Sequence, residues 1–234
     1  HEAGLLVNCH ARKVFAEKPK AGRLERVCVQ GMGGIPEELA KQALELMEFR
    51  PEPGCFNVFV FHQSLSELIP ADAEMISMRD LPAGFDLYVD GHIHWRHDIT
   101  EGGRRLLIPG STVVTQMKKN EAEPKGYYLF DTEKRGAEFV TVPTRPFIFE
   151  DVALKESGLA GAAAAIKAAV DSCLSRVPTG SMPLVKIKVT GTLANGLSPA
   201  DLELGQLLDE YSGRAYLSVD KQLAHADLKG KIDA

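Results

Sequence analysis

Two histidines separated by one residue, His92 and His94, are the side chains of this sequence best suited to chemistry. They follow an apolar run, Leu87–Val89, that predicts a buried strand, and Gly91 allows the backbone to bend where that strand ends. In an extended chain, residues i and i+2 point to the same side, with Cα atoms roughly 6.6 Å apart. Each imidazole can therefore reach a different ion of a pair held about 4 Å apart, the spacing of two-metal hydrolytic sites.

Two further apolar runs end in residues of similar interest. Phe56–Phe61 is followed by His62 and Gln63, and Leu106–Ile108 runs into the tight turn Pro109–Ser111. An isolated His-x-His pair is more often a surface feature of a loop, but three successive strands that end in this way favour a metal site. Strand ends that face a crevice are also where α/β proteins tend to place their chemistry. The sequence therefore predicts a metal site at these strand ends.

The composition is that of a globular protein. The chain has 234 residues, enough for one large domain or two small ones, with 44% hydrophobic and 25% charged residues. A formal net charge of -5 argues against a general basic coat, so nucleic acid would have to be bound through local basic patches and metal ions. Arg12-Lys13, Arg104-Arg105 and Lys118-Lys119 are the candidate patches, although such pairs are more commonly solvated surface.

The cysteines and the apolar segments place the chain in a broad class. Cys9, Cys28, Cys55 and Cys173 show no Cys-x-x-Cys spacing, so neither a disulfide framework nor a zinc finger is predicted. A reducing, cytoplasmic setting fits this pattern. We expect no signal peptide and no transmembrane segment, because no apolar run is long enough to cross a bilayer.

The order of elements predicts two α/β regions. Strand, helix, strand, turn, strand and a β-rich stretch suggest a packed α/β sandwich, with the helix beginning at Pro36. A boundary is expected near Pro143–Pro146. The second region is predicted to hold a strand at Phe147–Val152, a helix capped by Ser157, a strand at Leu184–Val189, a helix starting at Ser198, and a strand at Ala215–Val219.

The motifs resemble a known superfamily. Phe61–Gln63, Gly91–His94 and Pro109–Ser111 are similar to the later motifs of the calcineurin-like metallophosphoesterases. Arg145–Phe147, followed by a small α/β region, resembles the archaeal DNA double-strand-break repair nucleases of the Mre/SbcD family. The resemblance implies the C-terminal part of a four-layer αββα sandwich in residues 1–143, a DNA-capping α/β domain in 144–220, and the start of a linker toward an ATPase-binding region in 221–234.

Carried over by this resemblance, His62 and His92 would bind one Mn²⁺ ion and His94 the other. Supporting or substrate-contacting roles are expected for five neighbouring residues, Gln63, Asp90, Gly91, Trp95 and Ser111. For two of them a structural role is the stronger interpretation: Asp90 as a strand-end residue, and Trp95 as a cover for the core rather than a stacking platform for a base.

The family implies an activity and partners as well. It points to an exonuclease and single-strand endonuclease of DNA double-strand break repair that acts with an SMC-like ABC ATPase of the Rad/SbcC type and is a homodimer at full length. The family's early motifs, D-x-H, G-D-x-x-D and G-N-H-D, are absent; Asp90–His92 spells D-x-H only by coincidence, inside a later motif. We therefore expect no catalytic residue in this part of the protein and weak or no activity from it alone.

Two other functions are compatible with the same residues. One is a calcineurin-like phosphodiesterase that acts on a small nucleotide. The other is a non-catalytic DNA-binding or scaffold module.

Overall fold

The computed structural model describes residues 7–20, 23–69 and 75–224 and divides into two compact units. One unit comprises His1–Thr112 and Pro124–Val142, and the other comprises Val113–Glu123 and Pro143–Ala234. Both combine strands and helices, which confirms the predicted α/β class. The chain enters the second unit twice, first at Val113 and again at Pro143, whereas the sequence suggested one boundary near residue 143. Within the described residues, every helix is too short or too polar to cross a membrane.

The first unit is built on a six-stranded sheet. Its strands are β1 (Val14–Lys20), β2 (Arg23–Met32), β3 (Phe56–Phe61), β4 (Leu87–Asp90), β5 (His97–Glu101) and β6 (Arg104–Ile108), in the order β1-β2-β3-β4-β6-β5. The four inner strands β2, β3, β4 and β6 run parallel, whereas the edge strands β1 and β5 are antiparallel to their neighbours. The carboxyl ends of the inner strands therefore meet at one edge.

Helix α1 (Glu37–Leu46) connects β2 to β3 and packs on this sheet. It begins directly after Pro36, where a missing backbone N–H costs nothing. Ala40 and Leu44 are buried in a core that also holds Phe59. Leu39 of the same helix is 48% exposed, so only a narrow stripe of the helix surface is buried.

A two-stranded ribbon completes the first unit. Strands β7 (Gly126–Asp131) and β8 (Gly136–Thr141) pair antiparallel. Gly126 has no room for a side chain, because a Cβ would lie 2.1 Å from the Val140 carbonyl oxygen. The ribbon is therefore closely paired at the end where Lys125 enters it.

The second unit is a three-stranded parallel sheet with helices. Its elements are β9 (Phe147–Ser157), α2 (Leu159–Ser175), β10 (Leu184–Leu193), α3 (Gly205–Tyr211) and β11 (Tyr216–Ala224), with the strand order β11-β10-β9. Helix α2 buries Ala162, Ile166, Val170 and Cys173 in this unit's core. Parallel pairing needs such crossover helices, so the unit follows the βαβ pattern that its apolar periodicity predicted.

Local helix signals were wrong at two places in this unit. Ser157 does not cap α2, because it is the last residue of β9 and pairs with Leu193 of β10. Ser198 does not start α3, which begins at Gly205. The backbone N–H of Ser198 donates instead to the Asp201 carboxylate in a turn. Strand β11 also extends four residues into 221–234, the segment predicted to begin a linker, and residues 225–234 lie outside the described residues.

Gly31→Ala is expected to destabilise the first unit. A Cβ at Gly31 would lie 2.3 Å from the Val60 carbonyl oxygen, and overpacking of this kind costs about 1–3 kcal/mol. Gly33→Ala is the matched control, since its Cβ would meet the His10 Nδ1 atom at an ordinary 3.5 Å. Chemical denaturation of both variants measures the free energy of unfolding, and equal losses would contradict the expectation.

Candidate active site

The register of the parallel strands assembles the predicted site residues. Met32 of β2 lies opposite Phe61 of β3, and Phe61 lies opposite Asp90 of β4. The residues that follow these strands, including His62 and Gly91, therefore emerge side by side at one edge of the sheet. The Gly91 N–H donates to the Phe61 carbonyl at 3.0 Å and extends the pairing one residue past the strands.

His62 and His92 are brought into ring contact at this edge. Their ring centroids lie 5.0 Å apart, with the planes at 81°. Gly91 leaves room for this contact, because a Cβ there would lie 3.3 Å from the His62 Nδ1 atom. His62 is exposed and His92 is half-buried, so the pair lies where a ligand from solvent can reach it.

His94 lies close enough to His62 to act on it electrostatically. Although His62 is exposed overall, partial desolvation of its ring is the first cause that lowers its pKa, and repulsion from His92 and then His94 lowers it further. The structure brings His62 and His92 into contact and His94 within electrostatic reach of His62, while their role as metal ligands stays a prediction. A lowered pKa keeps the His62 imidazole neutral, which is the form that binds a metal ion.

Asp90 ties two of the histidine-bearing turns together. Its buried carboxylate accepts hydrogen bonds at Oδ1 from the backbone N–H of His92, at 3.0 Å, and of Gln63, at 3.3 Å. Burial raises the pKa of Asp90 to about 6, against the opposing effect of these backbone donors. Asp90 therefore does more than end a strand: it sets the backbone from which His62 and His92 project.

Gln63 extends this connection to the turn after β2. Its side chain is buried, and its Nε2 donates to the Ile35 carbonyl at 2.9 Å. Gln63, in the turn after β3, therefore bonds through its side chain to the turn after β2 and through its backbone N–H to Asp90 at the end of β4. The structure gives Gln63 a supporting position beside the histidines.

The Pro-Gly-Ser turn after β6 packs on the backbone of His94. Ser111 donates its N–H to the His94 carbonyl at 3.2 Å. Gly110 has a φ of +74°, and a Cβ there would lie 2.8 Å from the same oxygen, so the turn requires glycine. Trp95 is half-buried and packs against the core of the first unit, as the structural interpretation of this residue predicted.

Two residues near the site were not identified from the sequence. Lys125 is buried and contacts both the His94 carbonyl and the Ser111 hydroxyl. His10 is exposed, and its Nδ1 accepts a hydrogen bond from the Gly33 N–H at 2.9 Å. The sequence assigned neither residue a role in the site, and only the fold brings them near the strand ends.

One residue of each candidate basic patch forms an ion pair with a carboxylate. Lys13 forms an ion pair with Glu52 at 2.8 Å, and Arg105 forms a two-pronged pair with Asp98 at 3.0 and 2.8 Å. Lys119 likewise pairs with Asp151 within the second unit. In each of the three places that the sequence suggested, a carboxylate therefore balances one of the two positive charges.

The donor set fits part of a metal centre. Across residues 7–20, 23–69 and 75–224, no group of three or more His, Cys, Asp or Glu side chains is arranged to hold an ion. The His62–His92 contact, with two imidazoles 5.0 Å apart, suits two nitrogen ligands of one ion. The described residues thus offer an imidazole pair that needs further ligands from outside this set.

Fold and site together define an α/β protein with a histidine cluster at the carboxyl ends of parallel strands. The chain is similar to DNA double-strand break repair proteins Mre11. It is 26% identical to that of Sulfolobus acidocaldarius over 191 residues, 77% of this chain and 48% of the relative. It is 32% identical to that of Methanopyrus kandleri over 129 residues, 50% of this chain and 29% of the relative.

A plant protein also matches. The Mre11 protein of Oryza sativa subsp. indica is 28% identical over 148 residues, 56% of this chain and 21% of the relative. The predicted resemblance to Mre-type repair nucleases is therefore confirmed, but it is not restricted to archaeal proteins. The matched region spans less than half the length of each of these relatives. No protein-family model matches the chain.

The pKa of His62 is expected to lie below the usual value for imidazole, about 6.5, because burial and two neighbouring imidazoles disfavour its protonation. His92→Ala should raise the pKa of His62 by removing the larger repulsion, while burial keeps part of the lowering. NMR of the histidine Cε1–H signals against pH measures this. His10→Ala is the control and should leave the pKa of His62 unchanged; an unchanged value in His92→Ala would contradict the electrostatic contact.

Proposed function

We propose that this chain is the C-terminal part of the nuclease domain of a DNA double-strand break repair nuclease, followed by a capping domain. The single observation that carries the proposal is the contact of His62 with His92 at the edge where parallel strands end. The similarity to Mre11 proteins supports the substrate, DNA. The proposed architecture is the calcineurin-like four-layer sandwich, of which the six-stranded sheet would form one β layer.

The proposed cofactor is a pair of Mn²⁺ ions. His62 and His92 would hold one ion and His94 the other, through neutral imidazole nitrogens. When bound, such ions polarise the phosphodiester as Lewis acids and lower the pKa of a water molecule toward neutral pH. The chain's own part is to position the imidazoles: Asp90 and Gln63 fix the turns that carry His62 and His92, and the Ser111 turn fixes the backbone of His94.

The longer protein's setting follows from the same resemblance. We propose exonuclease and single-strand endonuclease activity, an SMC-like ABC ATPase of the Rad/SbcC type as partner, a homodimer at full length, and a cytoplasmic location. The second unit, with its three-stranded parallel sheet and two helices, is the part proposed to cap the DNA.

The isolated chain is expected to bind Mn²⁺ weakly and to cut DNA slowly or not at all, because it brings histidines without the carboxylates of the early motifs. Isothermal titration calorimetry with Mn²⁺ measures the affinity and the number of ions, with the double variant His92→Ala/His94→Ala as control. Tight binding of two ions by the parent chain, lost in the double variant, would show instead that the site is complete in these residues.

A chimera supplies the missing ligands and tests the activity. It joins the part of the Sulfolobus acidocaldarius Mre11 protein that precedes its matched segment to this chain. We expect Mn²⁺-dependent hydrolysis of linear DNA, reduced more than about 100-fold by His92→Ala, since loss of a mere supporting partner of a metal ligand already costs 10–100-fold.

The substrate preference of the chimera separates the competing functions. Hydrolysis of cyclic nucleotides and bis(p-nitrophenyl) phosphate but not DNA would favour the small-nucleotide phosphodiesterase. A folded chimera that binds DNA and Mn²⁺ without hydrolysing either class of substrate would favour the non-catalytic module. Either result would overturn the proposed nuclease.

A further inference from the structure

Lys125 occupies an unusual position for a lysine. It is only 5% exposed, and its Nζ donates to the His94 carbonyl oxygen at 2.9 Å and to the Ser111 hydroxyl at 3.2 Å. An ammonium group removed from water is unfavourable unless it is hydrogen-bonded, and the oxygens it meets here belong to the candidate site. The side chain thus crosses from the start of β7 to the backbone of a proposed metal ligand.

The segment that Lys125 contacts has no regular hydrogen-bond ladder of its own. His94 lies between the end of β4 and the start of β5, outside any strand or helix. Its carbonyl accepts hydrogen bonds from two directions, from the Ser111 N–H at 3.2 Å and from Lys125. The position of the His94 backbone therefore depends on groups that are distant in sequence.

The β7–β8 ribbon contacts the same segment at two further residues. The Arg96 guanidinium lies 4.5 Å from the ring centroid of Phe139, within cation–π range. The Tyr128 hydroxyl donates to the His97 carbonyl at 3.3 Å. Lys125 itself is anchored in the ribbon, because its carbonyl accepts the Val142 N–H at 2.9 Å.

We infer that Lys125 is a positioning residue that holds the His94 imidazole in place through the His94 backbone carbonyl. The inference adds a residue to the proposed site. Its consequence for metal binding rests on the proposed function, whereas the positioning of the His94 imidazole does not. Partners that orient metal ligands are commonly carboxylates or carbonyls that contact the imidazole itself. Here a buried cation acts one step away, on the backbone, and links the orientation of His94 to the packing of the ribbon.

Lys125→Met tests this without any need for activity. Methionine keeps much of the aliphatic stem and removes the donor. In the metal-free chain, labelled with ¹³C at histidine Cε1, the His94 signal is expected to shift and broaden while those of His62 and His92 stay in place. Lys134→Met, on the exposed turn of the same ribbon, is the matched control and should change none of them. Lys125→Arg, which keeps a donor, should restore the His94 signal.

Substoichiometric Mn²⁺ provides the second readout. In the parent chain, paramagnetic broadening is expected at all three histidines, and in Lys125→Met the broadening of His94 relative to His62 should fall at least about twofold. If Mn²⁺ broadens none of the histidines in the parent chain, the proposed metal site fails, whereas the metal-free comparison still decides the role of Lys125.

An unchanged His94 signal in folded Lys125→Met would overturn the inference. Changes spread equally over all three histidines would also overturn it, because they would show a general structural role. Should Lys125→Met fail to fold, Lys125→Gln carries the same comparison, since its amide is polar but too short to reach the His94 oxygen. A shift and broadening of the His94 signal alone is the result expected of either variant.

Discussion

The placement of Phe61 opposite Asp90 in two parallel strands is the constraint on which the candidate site depends. It makes His62 and Gly91 the next residues on neighbouring strands and brings His92 within ring contact of His62. A register slip by one residue would turn these side chains to the other face of the sheet. Buried aromatic residues on β3 and β4, such as Phe59 and Tyr88, resist such a slip because it would expose them.

Burial disfavours the charged forms of two groups at the site, and neighbouring imidazoles add to this effect at one of them. Burial raises the pKa of Asp90 to about 6, and burial together with two imidazoles lowers the pKa of His62. Hydrogen bonds from the backbone N–H groups of His92 and Gln63 offset part of the hydration that the Asp90 carboxylate loses on burial. Imidazoles held by a fixed backbone, one of them with a lowered pKa, are suited to binding a cation, and this supports the proposed metal site.

The second unit shows where local signals lose to long-range pairing. Ser157 carries the residue type of a helix cap, yet the chain continues as strand because β9 gains a parallel partner in β10 as far as Leu193. Similarly, the signal at Ser198 and Asp201 forms a turn and not a helix start. A cap contributes about 1 kcal/mol, which is less than several ladder hydrogen bonds and a buried sheet face provide.

What the sequence determined by itself is the kind of residue at each strand end. Apolar runs that stop at His62, at Gly91–His94 and at Pro109–Ser111 predicted three of the four inner strands and the histidines at their ends, because strand patterns and glycine turns are local properties. The tertiary structure alone decided that Asp90 would join two turns, that His10 would reach Gly33, and that Lys125 would meet His94. The last contact spans 31 residues of sequence. Such contacts leave no periodic signal, since they arise only when separate strands and the ribbon pack together.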